Sequence, residues 1–135
     1  MNQPKPVTKG AHHIGLTVSK LEESASFFID VLGWSEVLRN PDYPAIFVTD
    51  GVLMVTLWEV KSSSPVNFDR KENIGLHHLA LSVGSFDDLD AVHKNVTEHG
   101  LKVEFSPELL RDGPVKHMMC YDPSGIRVEF ICIPE

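Results

Sequence analysis

Only two cysteines, Cys120 and Cys132, occur in 135 residues. They have neither a C-x-x-C spacing nor a secretory context, so a disulfide scaffold is excluded and two reduced thiols are expected. Basic excess is also missing. Twelve Lys and Arg stand against 19 Asp and Glu, a net charge of −7, and that balance argues against the cationic face that nucleic-acid partners require. Long apolar runs are absent too: the longest, 45–60, is interrupted by Thr49-Asp50-Gly51, so no membrane partner is expected. Residues 1–9 are polar and proline-containing without a signal-peptide core, and read as an N-terminal tail on a cytoplasmic protein. What remains is the composition of one globular domain, long enough for a real core and too short for two independent ones.

What is present is a repeat. The stretch Gly10-Ala11-His12-His13-Ile14-Gly15-Leu16-Thr17-Val18 returns as Gly75-Leu76-His77-His78-Leu79-Ala80-Leu81-Ser82-Val83. His13 and His78 are 65 residues apart (78 − 13), and Gly33 and Gly100 are 67 apart (100 − 33), so the second unit gains two residues around its helix. Each copy begins with alternating apolar residues, the mark of a half-buried strand. A helical pattern follows in each. Leu21, Ala25, Phe28 and Leu32 come after a Ser19-x-x-Glu22 capping box, and Leu89, Val92 and Val96 after Ser85. Gly33 and Gly100 can take the left-handed position that ends a helix.

Three strands then complete each copy: 34–39, 45–48 and 52–60 in the first, and 101–105, 116–121 and 126–133 in the second, with 106–114 read as a loop. The predicted architecture is α+β: two tandem βαβββ modules, 10–60 and 75–135, joined by a linker over 61–74. Together they form a cupped sheet around a shared cavity.

Strand parity nominates the chemistry. His13 and His78 start their strands on the face opposite the apolar stripe, where a neutral imidazole can ligate a metal or simply be solvated. Glu129, between Val128 and Phe130, is a mid-strand carboxylate on the enclosed face, which needs a cation or hydrogen-bond donors. Two histidines and a carboxylate make a metal site with open positions for substrate. Glu59 is a second acidic candidate, but it shares the parity of Val55 and Leu57 and reaches the cavity only if a bulge reverses the strand. Thr56 and Trp58 then line the pocket. His117 shares a face with Met119 and Tyr121. It is a catalytic acid or base if that face is the cavity, and a surface histidine otherwise. His12 and His77 point away from their neighbours and read as packing or interface residues.

The paired segments HHIGLTV and HHLALSV resemble the vicinal oxygen chelate superfamily, as do Phe27-Phe28 through Val31-Leu32-Gly33-Trp34 and Asp122-Pro123-Ser124-Gly125-Ile126-Arg127-Val128-Glu129. That superfamily includes glyoxalase I, fosfomycin-resistance transferases, extradiol dioxygenases and bleomycin-binding proteins. The resemblance implies a glyoxalase/dioxygenase fold and a homodimer. It also implies a divalent metal ion (Zn, Ni, Mn or Fe) on His13, His78 and Glu129.

The implied activity is lyase or isomerase chemistry, through a metal-chelated enediolate or alkoxide, on a small-molecule substrate such as a thiol conjugate. Glu59 or His117 would act as base, with Tyr43, Phe47, Thr56, Trp58 and Met119 in the substrate pocket. The fourth ligand slot falls at or beside Thr56, where glyoxalase I has a carboxylate or amide. Met119 stands where an extradiol dioxygenase would have a tyrosine. Dioxygenase-like, fosfomycin-transferase-like and bleomycin-type binding functions are the alternatives.

Overall fold

The computed structural model describes residues 3–135. The elements are β1 (His13–Val18), α1 (Leu21–Ser26) continuing as a π-helical turn (Phe27–Val31), β2 (Ser35–Asn40), β3 (Ala45–Thr49) and β4 (Met54–Glu59), then β5 (Leu79–Ser82), α2 (Phe86–Glu98), β6 (Val103–Leu109), β7 (Lys116–Tyr121) and β8 (Arg127–Cys132). They form two four-stranded sheets, ordered β1-β4-β3-β2 and β5-β8-β7-β6. In each, the first strand runs parallel to the last and the other pairings are antiparallel. Both copies thus adopt the expected βαβββ order.

Alternation decides which face is buried. Leu16 and Val18, Ile46 and Val48, and Val55 and Leu57 face the core from sheet one. Leu79 and Leu81, Met118 and Cys120, and Val128 and Phe130 do so from sheet two. These residues join Phe27, Phe28, Leu89 and Val96 of the helical segments in a single core cluster spanning both modules. At about 25 cal/mol per Å² of apolar area removed from water, this shared core is the main term holding the modules together.

A polar link adds to it. Ser24, fully buried on α1, donates to Asp122 Oδ2 in the β7–β8 turn at 2.5 Å, and Asp122 Oδ1 accepts the Ser124 and Ile126 amides. Burial pushes the Asp122 carboxyl above its ordinary pKa, against the pull of the Ser24 hydroxyl and those backbone amides.

Several local expectations are corrected. Ser19 does not cap the first helix. Lys20 holds the N-cap position without a side-chain bond, and its amide donates instead to Ser124 Oγ across the module boundary. Ser85 does cap α2, accepting the Asp88 amide at 3.0 Å. The first helix also widens into a π turn, with the Leu32 amide donating to Phe27 O, which lets the adjacent Phe27 and Phe28 both reach the core.

Strand β5 is shorter than the apolar pattern and leaves His78 just before its first residue. Strand β6 runs on through Pro107 to Leu109, where a loop is expected from the sequence. It is an edge strand with register shifts on both sides of Phe105, so a residue without an amide proton costs no ladder bond there.

Candidate metal centre and ligand cup

The faces turned away from the core carry the polar residues. On β8, Val128, Phe130 and Cys132 are buried, so Arg127, Glu129 and Ile131 project to the other side. Glu129 lies opposite Ala80 on β5 and Met119 on β7. Its two oxygens are taken by diagonal neighbours: His117 Nδ1 stands 2.6 Å from Oε2 and His78 Nε2 3.4 Å from Oε1. The Glu129 and His117 side chains are each 12% exposed, and that of His78 is 33% exposed.

A carboxylate this enclosed needs a donor, and the His117 imidazole supplies one, with His78 further off. An ionised carboxylate can only accept, so in that 2.6 Å contact His117 Nδ1 is the donor. The His117 ring also packs against Phe105, with centroids 4.8 Å apart.

The leading histidine of each pair, expected as a packing or interface residue, contacts its neighbour. His77 Nδ1 lies 2.7 Å from His78 Nδ1, and His12 Nδ1 lies 2.8 Å from His13 Nδ1. In both modules the first ring therefore fixes one nitrogen of the second and leaves Nε2 for another partner.

The equivalent face of module one holds His13, Gly15 and Thr17 on β1 beside Met54, Thr56 and Trp58 on β4. Trp58 Nε1 donates to Thr56 Oγ1 at 2.9 Å, and a Cβ on Gly15 would lie 3.3 Å from that same oxygen, so the strands close tightly here. The Trp58 ring meets Tyr43 at 5.1 Å and Phe47 at 5.5 Å, and Lys61 Nζ stands 3.7 Å from the centre of the Tyr43 ring. Tyr43, Phe47, Thr56 and Trp58 thus form one aromatic wall. Met119 lies on the other sheet and is almost wholly covered. Strand β4 pairs without a bulge on either side, so Glu59 keeps the parity of Val55 and Leu57. The geometric condition for bringing it into the cavity is not met.

A row of charges missed by sequence reasoning lies beside Glu129. Arg127 donates through Nε and Nη2 to the two oxygens of Glu104, at 3.0 and 2.7 Å, and the Tyr121 hydroxyl donates to Oε1 at 2.5 Å. These Arg127 bonds, with Tyr121 adding to them, pull the Glu104 carboxyl down to about 2. Partial loss of hydration, then the Arg127 charge, push the nearby His77 below the usual imidazole range. Strand parity was the available signal, because Arg127 and Tyr121 share the faces of Glu129 and His117.

The donor types suit a divalent ion, namely imidazole nitrogens and a carboxylate. Within the chain, however, they are not gathered into one site. Glu129 contacts His117 and, at 3.4 Å, His78, the His13 ring meets that of His12, and no group of three His, Cys, Asp or Glu side chains among the described residues is placed to hold a metal ion. His78 and Glu129 are together; His13 is not with them.

Two βαβββ modules with polar outer faces, one bearing Glu129 between His117 and His78, define a duplicated fold. The Glyoxalase/Bleomycin resistance protein/Dioxygenase superfamily profile matches residues 10–130, and the chain belongs to that superfamily. The chain is 28% identical over 120 residues to a catechol-2,3-dioxygenase of Bacillus subtilis, a match covering 87% of this chain and 40% of that protein. It therefore spans about two fifths of that relative. It is 26% identical over 156 residues to a 2-epi-5-epi-valiolone epimerase of an Actinomyces species, covering 96% and 82% of the two chains. Among solved structures, a glyoxylase/bleomycin resistance protein/dioxygenase domain from Frankia superposes with a TM-score of 0.81 at 26% identity, covering 93% of this chain and 98% of that one.

Proposed function

We propose that this protein is a divalent-metal-dependent enzyme of glyoxalase-like type, carrying out lyase or isomerase chemistry on a small oxygenated substrate. The observation that carries the reading is Glu129 clasped mid-strand between His117 and His78 on the face away from the core. His78, Glu129 and His13 would hold the ion, with His13 supplied by a second copy of the chain in a homodimer. A bound Zn, Ni, Mn or Fe ion supplies a Lewis acid that stabilises negative charge developing on two neighbouring substrate oxygens.

The chain's own residues account for the rest. His117 is tethered through Nδ1 to Glu129, which leaves Nε2 to take or return a proton at the carbon next to those oxygens. Tyr43, Phe47 and Trp58 give an apolar wall that packs the substrate and keeps water away. Such a proton transfer fits the kind of reaction named for the epimerase relative, whose match covers 96% of this chain and 82% of that one.

Metal analysis of protein purified without chelator tests the proposal. About one ion per chain is expected, lost in His78→Ala. Absence of bound metal, with no affinity for added Zn²⁺, Ni²⁺, Mn²⁺ or Fe²⁺, would sink it. Assay with the hemithioacetal of methylglyoxal and glutathione addresses thiol-conjugate chemistry directly. One observation favours a second reading: the aromatic wall alone would serve a metal-free binding protein, and a metal-free chain that still binds flat apolar molecules would establish that role.

A further inference from the structure

A cleft of about 380 Å³ opens between the 67–70 loop and the adjoining ends of β7 and β8. Three of the chain's 12 lysines and arginines line it, Arg70, Lys102 and Arg127, in a protein whose net charge is −7. Their pairing is uneven. Arg127 is held flat by Glu104, whose oxygens are already taken by that guanidinium and by Tyr121. Arg70 makes only long contacts, 3.5 Å to the Tyr121 hydroxyl and 3.9 Å to Glu104 Oε1. Lys102 is in no ion pair among the described residues and stands 4.8 Å from the centre of the Tyr121 ring. Asp69 also lines the cleft, with Oδ1 occupied by the Lys71 amide. Counting Glu104 and Asp69 against the three cations, the cleft keeps one net positive charge (3 − 2).

We propose that this cleft binds the oxyanion of the substrate, a carboxylate or a phosphate, with Arg70 and Lys102 as its grips and Arg127 as the rigid base between them. The inference rests on the enzyme reading above and adds the substrate class, an anionic small molecule. An exposed lysine in no ion pair and a half-buried arginine with only a 3.9 Å counter-charge leave room for an incoming oxyanion, and a guanidinium fork matches its geometry. The position fits too. Arg127 precedes Glu129 by two residues on the same face, about 7 Å along a strand, and its Nη1 is 3.4 Å from His77 Nδ1 beside His78. An anion in the cleft would thus place the next few atoms of its molecule before Glu129 and His117. The same positive charge would draw anionic substrates toward a protein that otherwise repels them.

The test is titration of the full chain with inorganic phosphate and, separately, with malonate, at constant ionic strength, followed by calorimetry and thermal shift. Wild type and a Lys94→Gln surface control should bind at least one of the two at millimolar concentration. An Arg70→Gln/Lys102→Gln variant should bind about tenfold more weakly or not at all while keeping its metal. Preference for phosphate or for malonate identifies which oxyanion the substrate carries. Equal binding by the double variant, or none by wild type, overturns the proposal. Metal content measured on the same samples separates the two readings: a metal-free wild type that still binds the anion contradicts the enzyme reading alone.

Discussion

Thr56 and Glu129 occupy matching places in the two modules. Thr56 lies opposite Gly15 on the first strand and Phe47 on the third; Glu129 lies opposite Ala80 and Met119. Around Thr56 the neighbours are Trp58, Phe47 and, beyond them, Tyr43. Around Glu129 they are His117, His78 and the Arg127–Glu104 pair. One backbone plan therefore carries an aromatic wall in one copy and a charged cluster in the other. Duplication has kept the apolar stripe that packs the core while the outward face of each copy took on separate chemistry. Under the proposed function the two faces would divide the work, one an apolar surface for a substrate to lie against and the other the polar groups that act on it.

The comparison breaks hardest at Glu129. Glu129→Ala should abolish metal binding and lower turnover at least about a hundredfold with little loss of fold, because the side chain points away from the core. Thr56→Ala should leave metal content unchanged, and elemental analysis of the two variants decides whether the matching positions differ as described. Trp58→Ala should weaken substrate binding about tenfold at unchanged metal content, read as a rise in KM without a matching fall in kcat.

Ser24→Ala touches neither face. It should cost about 1–3 kcal/mol in denaturant unfolding, because Asp122 loses a buried donor, and should leave ligand binding intact. The smallest effect is with pH. The Glu104 carboxyl, held down to about 2 by Arg127, stabilises the fold above the ordinary carboxylate range. That contribution is lost as pH falls from about 4.5 toward about 2. Acid unfolding of Arg127→Gln should lack this component, provided the variant folds at neutral pH.

Most of the fold was legible because alternation and helical spacing are local signals, and the 65-residue repeat multiplied them. The outward placement of Glu129 and Trp58 was legible from parity. What escaped had long-range causes. The Ser19 capping box lost to a contact with Ser124, about a hundred residues away. The π turn exists because two adjacent phenylalanines share one core, and β6 continues because its edge position excuses Pro107. In the site, the Nδ1–Nδ1 contacts of both histidine pairs and the Arg127–Glu104–Tyr121 row depend on rotamers and on strand neighbours that no spacing encodes. That His13 stands apart from Glu129 was equally invisible, since parity fixes a face and not which faces meet.

That separation makes subunit mixing the most direct measurement. His13→Ala and His78→Ala variants, each inactive and metal-poor alone, would be unfolded or dissociated together, recombined, and measured for bound metal and turnover. If His13 completes a centre built on the second copy's His78 and Glu129, random pairing should restore about a quarter of wild-type activity and metal. Recovery of neither, with both variants dimeric and folded, would contradict a site shared between two copies of the chain.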